Sequence, residues 1–281
     1  MNTIRFAGAQ IPCSSDLNKN VETLKKALDW AFDNSIDYLV TPEGSLTGYI
    51  PDFDTKNRRT FKDVQDAADI VTEYARSKNI GLFLGTLWIE NRNEKNQRED
   101  QIRYYDKSGK FSGSHTKMYR ADYENTEPNF PVDNMIVSDK GGNLNALGMI
   151  CNDFWGGPMY RMMALPLLAE DLMSHIIVHS TNGFRGEEPE YDQIMNVWHE
   201  GNLRMFSFYL GIPILTVDNC WLTNGDEYQG PTSSQSGVLI HGDWVVKAPR
   251  TGTQYFYYDF DFDRLISKGY LTPPWKKLTN N

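Results

Sequence analysis

The sequence predicts a layered α/β protein built on mixed rather than purely parallel sheets. Two observations carry this. Short apolar runs alternate with stretches of helical periodicity along the chain, the pattern of helices packed on sheets. Glycine-marked hairpins interrupt that alternation in several places, which a purely parallel sheet does not allow.

The elements follow in order. "TIRFAGAQI" reads as a strand. From Leu17 to Asn34 the residues Val21, Leu24, Leu28, Ala31 and Phe32 recur at helical spacing. "DYLVTP" is a short buried strand that stops at Pro42. Val64, Ala67, Ala68, Val71, Tyr74 and Ala75 mark one face of a helix from Lys62 to Lys78. "IGLFLGTLWIE" is a strand, and the polar stretch Glu90 to Asp100 reads as a solvated connection. "QIRYYDKSGKFSGSHTK" predicts a hairpin with Gly109 at its turn. "MIVSDKGGNLNALGMIC" predicts a second, turned at Gly141-Gly142. Helices are expected from about Met159 to Met173 and from Tyr191 to Leu210, with the strand "SHIIVHS" between them. "IPILTVDN", a hairpin "SGVLIHGDWVVKA" turned at Gly242-Asp243, and "QYFYYDFDF" complete the strands. One domain spanning 1–281 is expected. Its tail from about Leu265 to Asn281, with Pro273-Pro274, is expected to dock on a partner subunit.

Composition narrows the function classes. Apolar residues make up 40% and charged residues 23%, which fits a globular chain with a substantial core. A net charge of −9 gives no electrostatic basis for binding nucleic acid. No apolar run reaches the roughly 18 residues of a membrane span, and no basic-then-apolar leader opens the chain. Cys13, Cys151 and Cys220 are an odd, sparse set, which argues against a disulfide framework and for the cytoplasm. There is no CxxC or HExxH spacing, so no metal site and no cofactor is expected.

Three residues stand at the tips of predicted strands. Glu43 follows Pro42 in "YLVTPEGSLTGY", either as an acid in a crevice at the sheet edge or as a turn residue capping a helix. Lys117 ends a hairpin strand in "SGSHTKMYR", either as a functional cation or as a charged residue protecting the sheet edge. Cys151 closes the apolar run "ALGMIC", either as a nucleophile or as an inert core thiol.

Their combination resembles the nitrilase (carbon–nitrogen hydrolase) superfamily, nearest in motif to its amidase and carbamoyl amidohydrolase branches. The resemblance rests on "PEGSLTGY", "HTKMYR" and "GMICNDFW" in this order, with "FAGAQ" near the start and "STNG", "GIPILTVDN" and "SGVLIHGDW" further on. It implies a four-layer α-β-β-α sandwich and a homodimer or larger homo-oligomer. It also implies a Glu43–Lys117–Cys151 triad that cleaves a non-peptide carbon–nitrogen bond in a small amide or carbamoyl compound through a thioester, without a cofactor; the alternatives are a nitrilase acting on a nitrile and a non-catalytic binding protein on the same fold. A second glutamate is implied after the lysine, with Glu127 of "TEPNF" preferred to Glu124. Tyr49, Asn152, Phe154, Trp155, Thr181, Asn182 and Arg185 are the implied substrate contacts. Where carbamoyl hydrolases usually continue with an arginine after "ICND", this chain has Phe154-Trp155-Gly156-Gly157. Those rings either wall the substrate site or pack beneath the turn, and Arg120 or Arg185 would then be the source of a carboxylate clamp. The apolar stretch "PMYRMMALPLLAEDLMSH" is expected at the subunit contact.

Overall fold

The computed structural model describes residues 2–49, 60–92, 95–120, 135–155, 174–183, 189–220, 222–223, 226–227 and 231–267. Strand β1 (Thr3–Gln10) leads to helix α1 (Leu17–Asp33), whose start is set by Asp16 accepting the N–H groups of Asn18 and Lys19. Strand β2 (Tyr38–Val40) follows, then helix α2 (Phe61–Ser77), which opens on a reciprocal Thr60–Asp63 capping box. Next come β3 (Gly81–Arg92), β4 (Lys95–Tyr105), β5 (Phe111–Thr116), β6 (Met135–Asp139) and β7 (Gly142–Ile150). A single helical turn, α3 (Asn152–Trp155), caps β7; β8 (Ile176–Thr181), helix α4 (Pro189–Leu210) and β9 (Ile214–Asp218) follow. The short pair β10 (Leu222–Thr223) and β11 (Asp226–Glu227), then β12 (Gly237–Ile240), β13 (Asp243–Lys247), β14 (Gln254–Asp261) and helix α5 (Phe262–Ile266) close the described chain.

Two six-stranded sheets form, ordered β14-β1-β2-β3-β4-β5 and β13-β12-β9-β8-β7-β6. In the first, β1, β2 and β3 run parallel and β14, β4 and β5 are antiparallel additions. In the second, β7, β8 and β9 run parallel, flanked by β6, β12 and β13. A large apolar core containing Phe6, Phe83 and Tyr104 of the first sheet and Met135, Leu147 and Val178 of the second lies between them. A separate core packs Leu24 and Leu28 of α1 and Val64 and Val71 of α2 on the outer face of the first sheet. This is the α-β-β-α sandwich that the motifs imply.

Close backbone approach fixes where the strand tips lie. Gly85 on β3 leaves room for the turn after β2: a side-chain carbon there would stand 1.9 Å from the carbonyl oxygen of Pro42. The same glycine accepts the N–H of Leu46 and the hydroxyl of Ser45, and donates to Thr41 Oγ1. The turn that carries Glu43 is thereby pinned to a neighbouring strand. Between the sheets, a side chain at Gly148 on β7 would meet His115 of β5 at 2.4 Å.

Three sequence readings shift. Glu90 to Asp100 is not an open connection, because β3 and β4 pair antiparallel as far as Arg92 and Lys95; polar residues lengthen a hairpin that no apolar periodicity marks. The turn between β6 and β7 is the two-residue Lys140-Gly141, both at positive φ, with Asp139 facing Gly142. The turn between β12 and β13 is His241-Gly242, again with both at positive φ. The expected helix from Met159 to Met173 lies outside the described residues, as do residues 268–281 of the tail.

Gly85→Ala is expected to cost about 1–3 kcal/mol, the usual penalty for overfilling a tight site, because the new methyl meets backbone that cannot swing aside. Thermal denaturation checks this. A variant melting with the wild type would mean that the Glu43 turn does not rest on β3.

Candidate active site

A buried ion pair organises the site. Lys117, directly after β5, donates from Nζ to Glu43 Oε1 at 2.6 Å. Both side chains are 1% exposed. The other carboxylate oxygen of Glu43 accepts the backbone N–H of Asn182 at 2.7 Å, and the Asn182 side-chain amide donates to the Glu43 carbonyl at 3.1 Å. Charge in a dry setting survives only when paired and hydrogen-bonded, and Glu43 meets both conditions.

Cys151 stands where β7 meets the single turn of α3, with φ of +43°. A non-glycine residue rarely adopts this conformation. It holds because both neighbours of the turn are fixed. The N–H of Cys151 donates to Ser180 O of β8 at 3.0 Å, and its carbonyl accepts from Phe154 N at 3.1 Å.

Asp153 supplies the second anchor. Its Oδ2 accepts the N–H of Ile150 at 2.9 Å and the Nε2–H of buried His115 at 2.8 Å. Its Oδ1 accepts the N–H groups of Met118 and Tyr119 at 2.9 and 3.0 Å. One carboxylate thus ties the cysteine turn to the segment that carries Lys117. On the other side, the Ser180 hydroxyl donates to Thr41 O at 2.7 Å, two residues before Glu43. The contacts close a ring: Glu43 to Lys117, past Met118 to Asp153 and Cys151, then through Ser180 and Asn182 back to Glu43. Asp153, His115 and Ser180 were not singled out from sequence. The available signal was polarity in otherwise apolar strand patterns.

The other expected site residues are distributed as follows. Thr181 is fully buried at the end of β8, and its hydroxyl has no hydrogen-bond partner among the described residues. Tyr49 and Asn152 are half-buried, and Arg120 is exposed. Phe154 and Trp155 are each 4% exposed. Their rings pack beneath the turn: Phe154 edge-on to His179 at 4.7 Å and beside Phe206 at 5.3 Å, Trp155 stacked on His199 at 4.2 Å. Glu124, Glu127 and Arg185 lie outside the described residues.

The surroundings are dry and neutral where the rings sit. His179 donates or accepts at Thr216 Oγ1, 2.8 Å from its Nδ1. Burial above all pushes its pKa well below the ordinary histidine value, so it is uncharged at neutral pH. Cys13 Sγ lies 3.6 Å from the Glu43 carbonyl, and burial pushes that thiol well above its ordinary pKa. Among the described residues no group of three or more His, Cys, Asp or Glu side chains is arranged to hold a metal ion, and no helix is long and apolar enough to cross a membrane.

Asp153→Ala is expected to leave the N–H groups of Ile150, Met118 and Tyr119 unpaired, at about 1–3 kcal/mol for each that stays dry. A fall in melting temperature of roughly 6 °C or more follows at about 2–4 °C per kcal/mol. Asp153→Asn keeps one accepting oxygen and is expected to fall less. Equal, small losses in both variants would show that the carboxylate does not carry the turn.

The family model described as carbon-nitrogen hydrolase matches residues 5–220. Among solved structures, a carbon-nitrogen hydrolase from Helicobacter pylori G27 superposes with a TM-score of 0.75 at 17% identity, covering 99% of this chain and 95% of that one. An amidase from Nesterenkonia sp. superposes at 0.71 with 18% identity, covering 93% and 92%. A double mutant of the Nesterenkonia sp. AN1 amidase in complex with acrylamide gives 0.72 at 16% identity, covering 100% and 97%. No curated protein sequence matches the chain. With the family's sequence model spanning every strand tip described above, and the same sandwich recurring in the solved structures, the chain belongs to the carbon-nitrogen hydrolase family.

Proposed function

We propose that the protein hydrolyses the carbon–nitrogen bond of a small amide or carbamoyl compound through a thioester on Cys151. The observation that carries this reading is the Lys117–Glu43 pair, buried at 2.6 Å and joined through backbone contacts to the cysteine turn. A buried acid–cation pair tied to a cysteine turn with a strained backbone has a cost in stability that packing alone does not require.

In this reading Glu43 is the general base. It takes the Cys151 thiol proton as the sulfur attacks the substrate carbon. The developing oxyanion lies between the Lys117 ammonium and the backbone N–H of Asn152. Glu43 then protonates the departing ammonia or amine and activates the water that cleaves the thioester. The second glutamate, Glu127 or Glu124, positions Lys117 or the substrate. The similarity to an amidase whose active-site cysteine adds to acrylamide supports a nucleophilic thiol. Complexes of that amidase with acrylamide and butyramide favour small uncharged amides over nitriles. A homo-oligomer is proposed as well, supported by exposed Val197, Trp198, Phe208 and Tyr209 on α4; light scattering at about the monomer mass would refute it.

The test is ammonia release from a panel of amides, carbamoyl compounds and nitriles, with mass spectrometry locating the adduct of an electrophile. Cys151 is expected to carry the adduct, and Cys151→Ala to abolish turnover. Lys117→Ala is expected to lower kcat by about 10²–10³ with little change in KM, since the charge it meets develops only in the transition state. Lys117→Arg is expected to fail too, because a planar fork does not replace a compact ammonium. Inactivation that tracks an adduct on Cys13 or Cys220, with Cys151 unmodified, would sink the mechanism. Turnover of nitriles alone would reassign the substrate class.

A further inference from the structure

His115 is a polar residue in an apolar place. It stands on β5 opposite Ile102 of β4, and Ile102 belongs to the core between the sheets. Its side chain is fully buried. Nε2 meets Asp153 Oδ2 at 2.8 Å, while Nδ1 has no hydrogen-bond partner among the described residues. A leucine or methionine would fill such a position without leaving a buried nitrogen unpaired. The backbone makes room for it as well. Gly148 lets β7 lie against it: a side-chain carbon at 148 would stand 2.4 Å from His115 Cβ and 2.9 Å from its Cγ.

Asp153 accounts for the imidazole. The two oxygens of this carboxylate serve two different segments. Oδ1 accepts the N–H groups of Met118 and Tyr119, directly after Lys117, and Oδ2 accepts that of Ile150, directly before Cys151. The torsion that turns a carboxylate is soft, so a further donor from the side fixes its plane. His115 is that donor, and it lies two residues before Lys117. One stretch of chain therefore grips Asp153 twice, by the imidazole before the lysine and by the backbone after it.

We propose that His115 is a positioning residue: by fixing the Asp153 carboxylate it sets the separation between the Lys117 segment and the Cys151 turn. The strut stands on geometry; its place in turnover rests on the reading given above. In that reading the Lys117 ammonium and the Asn152 N–H flank one developing oxyanion, and they belong to the two segments that Asp153 joins. A misplacement of about 1 Å between such groups can cost about 10²-fold in rate. The His115 side chain is closed to solvent, so it acts through Asp153.

The test compares His115→Gln with His115→Met. Glutamine carries an N–H donor the same number of bonds from the backbone as Nε2, and methionine fills the space without a donor. The first arm needs no activity. Both variants are expected to melt within about 5 °C of the wild type, because each side chain is of similar size to the one it replaces. His115→Met is expected to speed amide hydrogen exchange at Met118, Tyr119 and Ile150 by about tenfold, and His115→Gln to restore protection. Equal exchange in all three proteins would overturn the strut. The second arm is steady-state kinetics. His115→Met is expected to lower kcat by roughly 10–10²-fold with KM within about twofold, and His115→Gln to recover most of the loss. Wild-type kcat in His115→Met, or a glutamine variant no better than the methionine one, would overturn the positioning role. Failure of His115→Met to fold would overturn it too, since the residue would then hold the framework rather than the site. If the wild-type chain turns over no carbon–nitrogen substrate, the functional reading fails alone and the exchange arm still decides the strut.

Discussion

A fully buried ammonium is the constraint around which this molecule is arranged. Removing an ion from water costs several kcal/mol even after the surroundings relax, so Lys117 is tolerable only where acids converge on it in fixed geometry. Glu43 meets it at 2.6 Å and Asp100 lies 3.7 Å away. Glu43 is itself held by the Asn182 backbone N–H. No local stretch of chain can satisfy such a charge. The partners described for it come from a turn and a hairpin strand, and Glu43 is held in turn by Asn182, just past a strand of the opposite sheet.

The sandwich meets that demand through strand direction. β1, β2 and β3 are parallel in one sheet, and β7, β8 and β9 in the other. Glu43, Cys151 and Asn182 all follow the C-terminal ends of parallel strands, where open α/β sheets gather their ligand-binding groups. Asp153 and Ser180 then act across the gap. One binds the lysine segment to the cysteine turn, and the other binds β8 to Thr41 beside Glu43. The strained φ of Cys151 is sustained by these fixed neighbours.

The fold was legible in sequence because apolar periodicity marks β1, α1, β2, α2 and β7 to β9 directly. Glu43 and Cys151 stand at the tips of apolar runs, whereas Lys117 ends a polar hairpin strand; the three are joined as one candidate site by the resemblance of their motifs to the carbon–nitrogen hydrolases. What escaped is of another kind. Asp100 reads as the end of a polar loop until register shows that it shares a face with Ile102 and Tyr104. Asp153 and His115 stand far apart in sequence and meet only across the sheet interface. Phe154 and Trp155 were open to two readings, a wall or packing. Their rings lie under the turn against His179, His199 and Phe206; ring size alone carries no information on direction.

Division of labour between the sheets has a further consequence. Glu43 and Lys117 extend from one sheet, and Cys151 and Asn182 from the other. During synthesis the acid and the lysine emerge first, and the cysteine emerges only with the second sheet. A half-made chain therefore holds the acid and the lysine without the cysteine turn, and the contacts of Asp153 and Ser180 that join them form only once both layers are in place.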